Sequence, residues 1–202
     1  MSSTTRERII DEAMHLFSEH GYAATSVAKI EAAAGLTAGA GGLYHHFTTK
    51  EAVLAAGIER QLSRLDALRE IRRVLMPLGD RKAELTLIAR YILAELDSES
   101  ELLRILASEA RNRPQMLSTA VDQLVNSTFE GFATWIGELA DGQIPSEAAR
   151  AIAVLGLGSL LSSRLLRDVL GAPFPVEDET LLSTWVQLMS ATLDDFASRA
   201  GA

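Results

Sequence analysis

Helical periodicity recurs along almost the whole of this chain, and no stretch alternates β-branched and polar residues with the period of a strand. Ile9, Ala13, Leu16 and Phe17 set the pattern: their spacing puts all four on one side of a helix. The abundance of Ala and Leu and an aromatic share of only 5% agree with it. Read this way the chain is all-α, with about nine helices. The first opens at Thr4 or Thr5 and stops at Gly21. The second runs from Ser26 to Ala34, capped by Thr25 or Ser26, with Val27, Ile30 and Ala34 inward. The third spans about Thr37 to Phe47. Thr48 and Glu51 have the spacing of a capping box and open a fourth, running to about Leu75 before Pro77 and Gly79. A fifth covers Arg81 to Leu96, a sixth Glu101 to Arg111, and a seventh begins at Pro114 and ends near Ala140. Pro145 and Ser146 open an eighth that Gly171 closes, and Asp178 to Arg199 forms a ninth.

Several functional classes lose ground at once. Cysteine is absent, so disulfides and thiolate metal sites are excluded. The start, MSSTTRERIIDE, is polar, without the apolar stretch of a signal peptide, so export is not expected. The longest apolar run, Ala151 to Leu161 between Arg150 and Arg164, falls short of the roughly 20 residues of a membrane span. These features predict a cytoplasmic chain without a membrane partner. Neither G-x-S-x-G nor H-E-x-x-H occurs, and all four histidines lie in the first fifty residues, so no catalytic residue is expected. Adjacent residues on a helix point about 100° apart, so His45 and His46 make a poor chelating pair, and neither metal nor cofactor is expected.

The glycine-rich run GLTAGAGGLYHHF, Gly35 to Phe47, is the most informative short segment. It is not a phosphate loop, because no Lys follows a Gly and no strand precedes it. It is not a dinucleotide fingerprint, because Tyr44 stands where the third glycine should be. Helix, turn with glycine, helix is instead a helix-turn-helix pattern, whose second helix enters a DNA major groove. Small residues there let the backbone approach base edges. Thr37 at the helix start suits a phosphate. Leu43 and Phe47, four apart, face inward, leaving Tyr44 outward, while Lys50 at the next helix start is placed to meet the same DNA backbone. The formal charge of −8 opposes DNA binding only in part. Residues 1–50 hold four Lys/Arg against five Asp/Glu, or −1; residues 51–202 hold 15 against 22, or −7.

The stretch TSVAKIEAAAGLTAGAGGLYHHFTTKEAVL resembles the amino-terminal signature of TetR-type transcriptional regulators. Thr25, Ser26, Ile30, Ala34, Gly35, Leu36, Thr37, Leu43, Tyr44, His46, Phe47, Thr49, Lys50, Glu51 and Leu54 carry the likeness. The resemblance implies a helix-turn-helix domain over residues 1–48 and a helical effector-binding and dimerisation domain over 49–202. It implies double-stranded DNA as partner, a homodimer on a near-palindromic operator, repression, and release by a small apolar effector. Thr25, Ser26, Thr37, Ala38, Gly39, Ala40, Gly41, Gly42, Tyr44, His45 and Lys50 become the expected DNA-contacting set, while His46 is expected to pack or cap. The sequence departs from the pattern twice. Glu31 replaces the usual Ala, adding charge near the DNA face or pointing to solvent. Thr37 and Tyr44 are seven apart rather than five, a two-residue insertion within Ala40-Gly41-Gly42. Gly39, Gly41 and Gly42 weaken a helix there by roughly 2–3 kcal/mol, so partial disorder without DNA is expected.

The last two helices are apolar on more than one face. Ala149, Ala153, Gly156 and Leu160 form one stripe, with Leu181, Trp185, Leu188 and Thr192 as its counterpart. Their second face calls for a partner, either a second copy of the chain or the rest of the same subunit. Ile88, Tyr91, Ile92, Leu103, Leu106, Leu124 and Phe129 are apolar residues of helices five to seven, which in the family enclose the effector pocket; spacing alone reads them as core. The rival readings are a ligand-binding or adaptor protein whose helix-turn-helix meets protein, and a helical enzyme.

Overall fold

The computed structural model describes residues 4–60, 63 and 80–200. Among these the chain is helical throughout, without a strand. The chain divides into two compact units, residues 1–66 with 99–121, and residues 67–98 with 122–202. The first unit thus reaches well beyond residue 48, because a helix pair from the middle of the sequence packs onto the amino-terminal helices.

In the first unit α1 spans Thr5–His20. Thr4 caps it: its hydroxyl accepts the Glu7 N–H at 3.2 Å, and its own N–H donates to the Glu7 carboxylate at 2.7 Å. Ile9, Ile10, Ala13, Met14 and Phe17 are buried along one face. Gly21, at φ +80°, ends the helix. The helix α2, Val27–Ala33, is capped by the Ser26 hydroxyl, which accepts the Lys29 N–H. A further helix, α3, covers residues 50–60; the expected continuation to Leu75 lies outside the described residues. The hydroxyl of Thr49, not Thr48, accepts the Ala52 N–H at its start. Val53, Leu54 and Ile58 are buried, and Gly57 lets α3 approach α1 closely: a Cβ there would lie 2.4 Å from the Met14 sulfur. The pair α5 (Ser100–Glu109) and α6 (Pro114–Val121) completes this unit. Leu102 and Ile105 are buried, while Arg104 pairs with Glu19 and Glu101 with His15 across the α1–α5 contact.

The second unit holds α4 (Arg81–Ser98), α7 (Ser127–Leu139), α8 (Ser146–Arg164) and α9 (Asp178–Ala200). The single helix expected from Pro114 to Ala140 is interrupted by a π-helical turn at Asp122–Asn126, where the chain passes from one unit to the other. A similar turn, Leu165–Val169, follows α8. Its core gathers Leu85, Ile88, Phe132, Trp135, Ile136, Leu160, Leu182, Trp185 and Leu193. Trp185 donates its indole N–H to the Gly156 carbonyl at 2.9 Å. Residues Ser146–Val169 are long and apolar enough to cross a bilayer, yet 44% of that apolar window is buried inside the chain, as suits a core helix.

The stripe expected at a dimer interface is placed differently. Ala149, Ala153, Gly156, Leu160 and Trp185 are buried in this unit's own core. A side chain on Gly156 would press on Met189 and Phe132, which explains the small residue. Of the expected set, Leu188 is exposed while Leu181 and Thr192 are half-buried. The exposed apolar side chains of α8 are instead Val154 and Leu155, about 130° to either side of the expected stripe and so on the opposite face of the helix. The expected effector residues are also divided: Leu103 and Leu106 fall in the first unit, and Ile88, Tyr91, Ile92 and Phe129 in the second. Ile88 is core, and Tyr91, Ile92 and Phe129 pack against that core; the side chain of Leu124 lies outside the described residues. A groove of about 620 Å³ between α4 and α9 is lined by none of them; Leu182 and Val186 lie in it beside Lys82, Arg90, Glu179 and Asp194.

The second unit contains an ion-pair cluster that the sequence reading missed. Arg164 is 2% exposed. Its guanidinium donates two hydrogen bonds to Asp97 and two to Asp178, at 2.7–2.9 Å. Arg167 donates to Asp97 and Asp168. Asp97 and Asp178 are brought together from positions 81 residues apart in sequence (178 − 97), so no local pattern announces them.

Candidate nucleic-acid interface

The segment expected to be a recognition helix is a compact loop. From Thr37 it makes successive turns and closes into one 3₁₀ turn, Gly42–His45. Gly39 and Gly41 stand at φ +74° and +78°, where a residue with a Cβ is strained. The two extra residues thus appear as a bulged-out turn and not as additional helix. The loop has a defined course: Ala40 N–H donates to Thr37, and Tyr44 N–H to Gly41. Leu43 and Phe47 face inward as expected and are buried, Leu43 completely.

Glu31 organises this loop. Its side chain points neither to solvent nor to a DNA face; the residue is 0% exposed. One carboxylate oxygen accepts the Gly39 N–H at 2.7 Å, the other the Leu43 N–H at 3.0 Å. A buried carboxylate needs such donors, and each hydrogen bond to a charged group contributes about 1.5–3 kcal/mol. The departure from the TetR-type pattern at Glu31 and the two-residue insertion were together the available signal: a longer loop leaves amides without helix partners, and a carboxylate supplies acceptors.

The other expected residues sort by exposure. Thr37, Ala38, Gly39, Ala40, Tyr44 and His45 are exposed together with Ser26, Tyr44 by 57%. Gly41 and Gly42 are half-buried. His46 is exposed and so does not pack. Thr25 is corrected: it is fully buried, and its hydroxyl lies within hydrogen-bond distance of the Gly21 and Leu16 carbonyls. Lys50 is corrected too. Its ammonium donates to the carbonyls of Tyr22 and Thr25, both at 2.8 Å, and lies 4.1 Å above the Tyr22 ring. The opposing Arg113 guanidinium is 4.2 Å from the same ring. Burial, reinforced by Arg113, lowers the Lys50 pKa, while burial and the nearby Glu51 carboxylate push the Tyr22 phenol well above its usual range. Glu109 ties the cluster: it accepts the Tyr22 N–H and the Arg113 Nε–H. Sequence reasoning offered Glu109 only as a polar residue that could orient a ligand and did not single out Arg113, because the two lie about ninety residues from Tyr22.

Helix, turn and exposed small-residue loop on a packed amino-terminal unit give an all-α protein with the layout of a helix-turn-helix, a loop standing where the second helix would be. Residues 9–56 match the family model described as bacterial regulatory proteins, tetR family. The HTH-type transcriptional repressor ComR of Escherichia coli (strain K12) is 43% identical over 65 residues, 32% of this chain and 30% of that protein. The Transposon Tn10 TetC protein of Escherichia coli is 39% identical over 64 residues, 32% of each. The chain thus matches about a third of the length of these curated relatives. Over nearly the full length the fold is like that of a TetR-family transcriptional regulator from Bordetella parapertussis, with TM-score 0.69, 20% identity, and coverage of 93% of this chain and 95% of that one. It is also like the fatty acid degradation regulator FadR from Bacillus halodurans, with TM-score 0.64, 20% identity, and coverage of 94% and 96%. Residues 9–56 thus match the amino-terminal domain of the TetR family, and the all-helical fold over nearly the full length is like that of these solved regulators.

Proposed function

We propose that this protein is a DNA-binding transcriptional regulator that acts as a repressor and binds a near-palindromic operator as a homodimer. The observation that carries the reading is the surface Thr37-Ala38-Gly39-Ala40 with Tyr44 and His45: it is exposed, nearly free of bulk, and mounted on a domain of the TetR family. Small side chains there let the loop backbone approach a groove, and the hydroxyls of Ser26, Thr37 and Tyr44 suit phosphate oxygens. With Lys50 turned inward, Arg6, Arg8 and Lys29 are the exposed basic side chains of this region. The salt dependence of binding is therefore set by few cations per copy. Cytoplasmic placement follows from a duplex target.

The dimer would form through the exposed apolar side chains Val154 and Leu155 of α8 and Leu188 of α9, with half-buried Leu181 alongside. Two copies joined there would set their loops in successive major grooves, about 34–36 Å apart. A small apolar effector that binds one arrangement of the second unit better than the other would alter that spacing, and only through this difference in affinity.

Selection of binding sites from fragmented genomic DNA with the purified full chain tests the proposal. Recovery of short inverted repeats, with binding that weakens as salt rises, is expected. Equal retention of all duplexes, or equal affinity for single strands, would favour the protein-binding adaptor.

A further inference from the structure

The loop and Glu31 belong together physically. In an unbroken helix over 37–47 the Leu43 amide would donate to the Gly39 carbonyl four residues back, while the Gly39 amide, in the first turn, would have no partner within the helix. The inserted turn removes the Leu43 partner, and the Glu31 side chain accepts from both amides. Leu43 is fully buried, so its N–H has no access to water in exchange. Gly42 packs closely beside it: a Cβ there would stand 3.3 Å from a Leu36 methyl, which would have to give way slightly, and 3.9 Å from the Glu31 carboxylate. The two pinned amides bracket the segment that holds Ala40, and the second lies next to Tyr44.

We propose that Glu31 is the positioning residue of the DNA-reading surface. Its buried carboxylate pins Gly39 and Leu43, so that a rigid loop presents Thr37, Ala38, Ala40 and Tyr44 to the duplex in place of a recognition helix. The inference rests on the DNA-binding reading and adds to it a residue that touches no DNA yet sets which site is preferred. On this reading the loop is formed before it meets DNA, held by Glu31, and does not fold on the duplex.

Glu31→Gln tests this in the full chain. Glutamine keeps the shape but can accept through one oxygen only, and its amide group opposes the other N–H. Without DNA, amide exchange followed by NMR should show Gly39 and Leu43 protected in the parent chain. In the variant at least one of them should exchange faster by about tenfold or more, with Phe17 unchanged. With DNA, the variant's preference for the selected site over a scrambled duplex should fall by about tenfold, while the salt slope on the scrambled duplex stays as it was. Amides that are unprotected in the parent, or protected equally in both, overturn the pin. Loss of protection with unchanged site preference overturns the positioning role. A parent chain that binds no duplex overturns the DNA-binding reading, and the amide arm still decides the pin.

A second variant covers the case in which Glu31→Gln does not fold. Glu31→Ala combined with removal of Gly41 and Gly42 restores the spacing of an unbroken helix. It should fold, gain helical signal over 37–45, and select a different site. Retention of the parent's site preference overturns the proposal.

Discussion

Lys50 shows how a residue's role is set by what lies within hydrogen-bond reach. An ammonium with two carbonyls at 2.8 Å and an aromatic face beneath it is a structural bolt between α3 and the turn after α1. Lys50→Met should therefore lower stability by about 2 kcal/mol, from the loss of hydrogen bonds to a charged group. Its DNA salt slope should stay unchanged. Thermal unfolding and salt titrations check both; a slope reduced by about one unit with unchanged Tm would return Lys50 to the phosphate backbone. Gly57 is the second such residue. Gly57→Ala drives a methyl into Met14 and should cost roughly 1–3 kcal/mol as overpacking. Adding Met14→Ala should make the alanine at 57 far less costly, and a double-mutant cycle with no coupling would refute the contact.

At the scale of elements, the end of α4, the end of α8 and the start of α9 are held by Arg164. Asp178 has its pKa lowered by the hydrogen bonds from Arg164. Burial alone would raise the pKa of Asp97, but hydrogen bonds from Arg164 and Arg167 outweigh it, and the value is lowered. A carboxylate whose pKa is lower folded than unfolded contributes stability above its unfolded value, about pH 4, and loses it as the pH falls through the folded value. Stability of the second unit should thus fall below about pH 4, and in Arg164→Met that acid dependence should flatten. Removing the arginine should cost about 3 kcal/mol at neutral pH, the low end for a broken buried pair, because both carboxylates keep some contact with water. Denaturant titration from pH 3 to 7 measures both effects, and parallel pH profiles for the two proteins would contradict the linkage.

For the whole molecule, the exposed apolar side chains of α8 and α9 carry the expectation of a two-fold assembly. Leu155→Glu with Leu188→Glu should yield a monomer by light scattering at micromolar concentration and reduce affinity for a two-half-site operator far more than for a single half-site. A variant that remains dimeric would place the interface elsewhere. Ala153→Glu would be uninformative about assembly, because Ala153 is completely buried and the change would unfold the subunit.

The amino-acid sequence by itself determined what is local. Periodicity announced the helices, Thr4 or Thr5 and Thr25 or Ser26 their starts, and Gly21 a stop, because caps and amphipathic stripes act within one or two turns. The first two helices, the turn between them and the exposed Thr37–Ala40 surface were legible for the same reason, whereas the helix expected over 37–47 gave way to a loop. Tertiary structure decided what depends on distant neighbours. Which side of α8 faces inward depended on Phe132 and Met189, which meet Gly156 and so turned Val154 and Leu155 outward. Whether Lys50 faced DNA or carbonyls depended on the turn at Tyr22–Thr25. Glu31 could be charge at a surface or an acceptor in the interior, and only the course of the inserted turn brought two unpaired amides to it. A buried charge takes its meaning from its partners, and partners from separate segments meet only when the chain has folded.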